Sequence, residues 1–580
     1  MKRLLLRAFN FSHGAAATAL LAMAALGSSG CRREPPASTP PPPPDKEIRS
    51  PRYAFEPIDA DAGVKASYDN GELGDAHSIL QSLGGGVGLL DFDLDGRMDL
   101  WTPGGGAILP ESQSIEGLPS LLYRQQSERL AFDQIGAQAR IDLASHYTHG
   151  CSVADCDSDG FPDVLISGYD GLQYFRNMGD GTFVECAQLA GLEDDRWSSS
   201  TAFGDFNKDG LPDLYVCHYV DWSWAKNPPC FSSSAQGQRD VCAPAHFLGL
   251  DDMLYLNDAQ GGFINATATA NLVPAGKGLG VIVADLDHDL DVDIYVANDT
   301  TENFFYLNDG EGIFEETGLF SGTALDHRGT PNGSMGLAIL DFDGDQQPDI
   351  WVTNFENETF CLYRNQRNGN FQCVTERTGI TAIGDLFVGF GTVAVDIELD
   401  GDEDLVVSNG HVNRFPGSSL VAQDALLLLN NGNGRLERAD VAGSGYFSTP
   451  HRGRAVVSTD FNQDGLPDFV FSHIKEPLSI LLNQSQPAGN WLSLKLIGRN
   501  VNRDAIGSRV EVSHGEQVLV RHVVGGGGYL SQGAYALHWG FTGQASSVEA
   551  KVFWPDGSVE QVELAVNQAH VVIQQPKLAN

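Results

Sequence analysis

Seven times along this 580-residue chain, acidic or amide side chains stand at positions 1, 3, 5 and 9 of a short loop. The first three sets are Asp91, Asp93, Asp95 and Asp99; Asp155, Asp157, Asp159 and Asp163; and Asp205, Asn207, Asp209 and Asp213. The next two are Asp285, Asp287, Asp289 and Asp293, and Asp341, Asp343, Asp345 and Asp349. The last two are Asp396, Glu398, Asp400 and Asp404, and Asp460, Asn462, Asp464 and Asp468. Alternate side chains on a tightly turned loop converge on one point. With a backbone carbonyl near position 7 they supply the roughly six to eight oxygens that Ca2+ takes, whereas Mg2+ keeps its waters and wants fewer protein ligands. A helix-loop-helix calcium site needs Glu at position 12, where this chain has Thr102, Ile166, Val216, Val296, Val352, Val407 and Phe471. Apolar runs flank the loops, such as Val87 to Leu90 before the first and Leu214 to Val216 after the third, so each loop is predicted to join two strands of a hairpin. Glycine at position 6 permits the sharp turn, and Leu290 and Gln346 replace it in the fourth and fifth loops. Those two are expected to be weak or empty. The expected cofactor is Ca2+, several ions and up to seven.

The loops begin 64, 50, 80, 56, 55 and 64 residues apart, which leaves room for about four strands per repeat, the period of a propeller blade. A third strand of shared character follows each loop, for example Tyr174-Phe175-Arg176-Asn177 and Leu362-Tyr363-Arg364-Asn365. Fourth strands are predicted to start at Phe132, Phe183, Phe263, Phe314, Phe371 and Leu436, one fewer than the loops require. The segment Phe55 to Val64 repeats the spacing of Phe183 to Leu192, so it is expected to complete the last blade, closing the ring and hiding its edges. Residues 490–575 alternate apolar and polar over short runs that predict a small β-sandwich or barrel. The fold class is therefore all-β, a seven-bladed β-propeller over residues 51–485 with a smaller domain over 486–580. The run Gly525 to Gly528 is read as a strand-linking loop, because no strand-to-helix pattern accompanies it as a phosphate cradle would need.

The chain starts with Met1-Lys2-Arg3, an apolar stretch from Ala15 to Leu26 and then Gly27-Ser28-Ser29-Gly30-Cys31, an export signal over residues 1–30. Its end resembles a bacterial lipoprotein signal, which makes Cys31 the lipidation candidate, although Ser28 stands where such signals carry an aliphatic residue. Residues 31–50 form a proline-rich linker, with Pro40 to Pro44 acting as an extended stalk. The other eight cysteines favour disulfides in an exported chain, Cys361 with Cys373 and Cys230 with Cys242 being the candidate pairs. A net charge of −40 repels nucleic acid and anionic lipid and favours hard divalent cations as partners.

The repeats resemble the FG-GAP/VCBS family of integrin-type propellers. Gly276 to Gly280, Asp299-Thr300-Thr301 and Asn227-Pro228-Pro229-Cys230 are more specifically similar to bacterial relatives of the cartilage acidic protein family. In the tail, Asn502 to Val510, Gly525 to Gln532 and Trp554-Pro555-Asp556-Gly557 resemble the ASPIC/UnbV domain. The resemblance implies extracytoplasmic calcium binding and names no ligand. The functional expectation is an exported, non-enzymatic binding or adhesion module for an extracellular glycan or protein, touching the membrane only through a lipid anchor. The alternative is a lyase or hydrolase acting on extracellular polymers, for which His146, His149 and His411 with Arg414 are the polar clusters to examine. No Ser/His/Asp order, His-Glu-x-x-His or Walker pattern appears.

Overall fold

The computed structural model describes residues 53–577 apart from 59–61, 127–128, 145, 384–385, 440, 442–444 and 487–488. The export signal, the proline stalk and Cys31 lie outside the described residues. Seven antiparallel sheets carry the acidic repeats, one sheet to a loop, six of four strands and the fourth extended by Gly525–Gly526 to five. The second is typical, with Tyr147–Ala154, Asp163–Tyr169, Gln173–Asn177 and Phe183–Glu185 in that order from the axis outward. Each acidic loop turns the innermost strand into the second, as Val153↔Val164 and Ala154↔Asp163 illustrate. The fourth strands begin at the aromatic or leucine positions named above, from Phe132–Gln134 to Leu436–Arg438.

Crowding at the axis explains the glycines of the innermost strands. Gly391 lies so close to the next blade that a Cβ there would meet Val456 N at 2.4 Å. Away from the axis, neighbouring sheets bury large apolar side chains face to face, as where Trp101 packs edge-on to Phe183 at 5.3 Å.

The seventh sheet draws on both ends of the repeat region. Gly453–Thr459, Asp468–His473 and Ser479–Asn483 are followed outward by Phe55–Pro57, in the register Phe55↔Asn483, Glu56↔Leu482 and Pro57↔Leu481. The strand is three residues long, shorter than the segment expected from sequence, and Ile58 adds one further bond to Ile480 O at 3.0 Å. Phe55 anchors it against Phe447 and Phe469.

The C-terminal residues form a β-sandwich. One sheet orders Leu537–Thr542, Gly489–Ile497 and Gln568–Ile573, the last two parallel; the other orders Gln517–His522, Arg509–His514, Ser547–Phe553 and Val559–Ala565. Leu492, Leu494 and Trp539 from the first sheet share a core with Val510, Ala550 and Trp554 from the second. That core runs on without a break into Phe206, Val283 and Val292 of the third and fourth blades.

The glycine run does link two strands of the sandwich, Gln517–His522 and Leu537–Thr542, by a route the sequence did not indicate. Gly525 to Gln532 leave the sandwich as a finger that enters the axial channel of the ring. Gly525–Gly526 pairs with Val283 and Ile282 of the fourth blade; Gly528 bridges to Leu337 and Gln532 to Gly88. Leu530 O accepts from Cys151 N at 3.1 Å. Only residues without side chains pass between backbones this close: a Cβ on Gly525 would fall 1.9 Å from Phe203 O. Beside the finger a cavity of about 890 Å³ remains, lined by Ile282, Leu337, Val393 and Val457 and by Gly526 to Gly528.

Candidate metal centres in the acidic loops

All seven loops share one local structure. Positions 4 and 6 are left-handed throughout, from Leu94 at φ 57° and Gly96 at 83° to Gln463 at 59° and Gly465 at 89°. The turn brings the position 6 N–H onto one carboxylate oxygen of position 1 in every loop, at 2.7–3.2 Å. Position 5 accepts from the N–H of position 7 in all seven, at 2.8–3.2 Å. Leu290 and Gln346 adopt the glycine conformation, at φ 76° and 68°, and make the same bond to position 1. The strain of roughly 1–3 kcal/mol per residue is therefore borne without loss of the turn.

The four oxygen-bearing positions do not act alike. Position 9, at most 1% exposed in any loop, is a strut between strands. Its Oδ2 accepts from the N–H of position 2 at 2.9–3.3 Å. Its Oδ1 accepts from the amide N–H at the end of the third strand, at 2.7–3.1 Å. That third-strand residue is Gln125, Asn177, Asn257, Asn308, Asn365, Asn430 or Asn483. Its side-chain amide donates to the position 2 carbonyl of the preceding blade's loop at 2.8–3.2 Å, and Gln125 to Phe461 O closes the circle. The shared asparagines were visible in the sequence; their part in stitching blade to blade was not.

In the first, second, fourth and fifth loops, three carboxylates converge. Oxygens of Asp91, Asp93 and Asp99, of Asp155, Asp157 and Asp159, of Asp285, Asp287 and Asp289, and of Asp341, Asp343 and Asp349 lie within 4.8 Å of one another. The same four loops hold buried carboxylate oxygens without a protein hydrogen-bond partner: Oδ1 of Asp91, Asp93, Asp155, Asp287, Asp341 and Asp343. Buried anionic oxygens left unmatched are what a hard cation would satisfy, so the donor set fits Ca2+. The fourth and fifth loops, expected to be the weakest, are among the four.

The other loops spend their side chains differently. In the third and seventh, Asn207 and Asn462 donate to Asp209 and Asp464 at 3.0 and 2.9 Å. In the sixth, Glu398 accepts from the Tyr53 hydroxyl at 2.9 Å. Arginines of the third strands flank three of the converging sets, Arg124 at Asp93, Arg176 at Asp157 and Arg364 at Asp343. Burial raises the carboxyl pKa values further than the backbone N–H bonds and these cations lower them. Asp155, Asp285 and Asp341 are pushed up to about 7, and Asp99 and Asp349 to about 8.

The sandwich docks on this acidic face. Arg503 reaches Asp155 at 3.2 Å, and Asp504 Oδ2 accepts from Asp155 N at 2.8 Å. Gly540 N donates to Asp396 at 3.1 Å, and His538 is bonded to Gly465 O at 2.9 Å. Arg521 meets Glu403, whose other oxygen accepts from Asp341 N. The opposite face carries the long connections between second and third strands, including the insertion closed by the Cys230–Cys242 disulfide. Cys361 and Cys373, expected as a pair, are not joined by a disulfide: Cys373 stands opposite Tyr363 in the ladder, and the two remain neighbouring thiols that hydrogen-bond each other.

The polar clusters considered for catalysis are held in hydrogen bonds. His149 Nε2 accepts from Trp197 Nε1 at 2.8 Å, its Nδ1 faces the Tyr68 hydroxyl, and burial pulls its pKa down to about 3. His146 is likewise lowered to about 4 by burial. His411 accepts from Asn413 N and faces Glu356, while Arg414 spans Asp75, Glu72 O and Gln81.

Comparison with known proteins places these features. The ASPIC and UnbV family matches residues 498–579. The FG-GAP-like repeat family matches residues 155–216, 285–352 and 341–407. Cartilage acidic protein 1 of Xenopus tropicalis is 27% identical over 492 residues, covering 73% of this chain and 73% of that protein. The Mus musculus protein of that name is 26% identical over 453 residues, covering 73% of this chain and 64% of its own length. Among solved structures, YCF48 bound to D1 peptide matches with TM-score 0.38 and 8% identity, covering 75% of this chain and 96% of that one.

Proposed function

From a chain that carries FG-GAP-like repeats and an ASPIC and UnbV domain, we propose an exported, calcium-stiffened scaffold that binds an extracellular glycan or protein. A propeller of such repeats suggests a binding or adhesion-type module and a non-catalytic role. The observation that carries the calcium reading is the set of orphaned buried carboxylate oxygens in four of the loops. Because the C-terminal sandwich covers the acidic face, the face left for a partner is the opposite one. Its connections expose Leu73, Phe231, Leu248 and Leu420, apolar side chains that a partner would cover.

Calcium binding only to the folded state stabilises it by mass action. Excess chelator should lower the melting temperature and added Ca2+ restore it; a melting curve indifferent to both overturns the calcium reading. Partner binding is tested by a glycan array and by capture from native envelope, comparing the unchanged protein with a Phe231→Ser, Leu420→Ser variant. Equal capture by both places the partner elsewhere. Export with lipid attachment at Cys31 predicts that Cys31→Ala moves the protein from the membrane to the soluble fraction, and an unchanged distribution refutes the anchor.

A further inference from the structure

At the tip of the finger lies a charge that the acidic loops do not explain. Arg454, on the innermost strand of the seventh blade, is 0% exposed, yet no carboxylate among the described residues lies within ion-pair reach of it. Its Nη1 donates to Gly453 O at 2.8 Å and Gly410 O at 3.3 Å. Its Nε and Nη2 have no protein acceptor. The guanidinium sits over the Phe390 ring at 4.2 Å, and Tyr529 of the finger packs edge-on to the same ring at 4.9 Å. The Tyr529 hydroxyl, fully buried, lies beside the Gly84 N–H and has no acceptor for its own proton, while that of neighbouring Tyr147 faces the Tyr68 hydroxyl.

The nearby acids are committed elsewhere. Glu72 receives both Arg452 Nη1 and Nη2, at 2.9 and 2.8 Å; Asp69 faces Lys475; Asp299 accepts from the Tyr219 hydroxyl. Burial lowers the Arg454 pKa to about 10, which still leaves it charged at neutral pH. An unpaired charge so far from water is costly unless a counter-ion and hydrogen bonds accompany it. What stands here is two unmet guanidinium nitrogens with the Tyr529 hydroxyl in their neighbourhood, beside Phe390 and the glycine backbone at Gly84 and Gly85.

We propose that Arg454, with the Tyr529 hydroxyl, holds a small monovalent anion of halide size where the finger tip meets the ring. One cationic side chain balances one negative charge, so a doubly charged anion would stay partly uncompensated there. Bound there, the anion couples the seventh blade to the finger, and so to the C-terminal sandwich.

The test uses the full-length protein, calcium-saturated, refolded in gluconate buffer without halide and then titrated with NaCl or NaBr against sodium gluconate and sodium sulfate at equal ionic strength. Halide should raise the melting temperature by about 2 °C, and the other salts should not. Crystals grown in bromide should show an anomalous peak within hydrogen-bond distance of Arg454 Nε or Nη2. Arg454→Met should abolish the halide response. Should that variant fail to fold, Tyr529→Phe keeps the packing, removes one donor and should weaken halide affinity about tenfold, the equivalent of one hydrogen bond. Melting that ignores halide, together with no bromide peak at the guanidinium, would show that water alone meets these donors and overturn the proposal.

Discussion

In the second and fourth loops, position 9 and the converging positions 1, 3 and 5 make separable contributions, and substitution distinguishes them. Asp293, outside the converging set of its loop, ties Leu286 N and Asn308 N across three segments of one blade, so Asp293→Ala should cost about 2–4 kcal/mol with or without calcium, because two buried donors lose a charged acceptor. Asp287 Oδ1 has no protein partner to lose, so Asp287→Asn should remove only part of the calcium-dependent stabilisation. Urea unfolding in chelator and in calcium measures both, and equal losses in the two conditions for Asp287→Asn would contradict the division. The same burial sets a pH dependence for the metal-free protein. The folded-state pKa values of Asp155, Asp285 and Asp341 near 7 and of Asp99 and Asp349 near 8 lie above the ordinary 3.8. Their contribution is thus complete below about pH 4 and lost as pH rises through about 7 to 8. In chelator, stability referred to pH 5 should fall by pH 8, and Ca2+ should restore most where the carboxyls are ionised. A metal-free melting temperature that climbs over that interval would contradict the assignment.

Among the elements, the finger is tightly constrained in sequence. A Cβ on Gly86 would meet Leu530 O at 2.0 Å and one on Gly525 would meet Phe203 O at 1.9 Å, both backbone atoms that cannot swing aside. Gly86→Ala and Gly525→Ala should each push the finger off the innermost strands, at a cost of about 1–3 kcal/mol as in other overpacked interiors. Gly533 has nothing within 4 Å and serves as the control, since Gly533→Ala should be nearly neutral. Protease cutting within residues 525–532 reads the displacement directly, and protection equal to that of the unchanged protein in both tight variants would mean that the finger tolerates the added methyl.

For the whole molecule, closure depends on a three-residue strand and on a ring of amide stitches. Phe55–Pro57 covers the outer edge of the seventh blade, and Gln125 to Phe461 O joins that blade to the first. Deleting residues 53–58 should leave Ser479–Asn483 as an exposed edge and open the ring at this junction, lowering the melting temperature and promoting aggregation. Deleting Pro40 to Pro44 should do neither. Similar behaviour of the two truncations would show that the outer strand is dispensable.

The loops, their period, the strands around them and the missing outer strand were legible in the sequence because each is a local pattern repeated in one frame. Asp at 1, 3, 5 and 9, an aromatic-Arg-Asn third strand and a Phe-led fourth strand each follow from neighbouring residues alone. Leu290 and Gln346 keep a left-handed backbone that local propensity penalises, because the surrounding hairpin imposes it. Only the tertiary structure decided which loops gather three carboxylates: Tyr53 takes up Glu398 from 345 residues away, and hydrogen bonds from Asn207 and Asn462 to Asp209 and Asp464 close the third and seventh loops on themselves. It also decided the fate of Gly525 to Gly528, whose neighbours in sequence are sandwich strands and whose neighbours in space are the innermost strands of the ring. A glycine run states that something must pass close by; what passes is set by how two distant domains pack, and no local pattern records it.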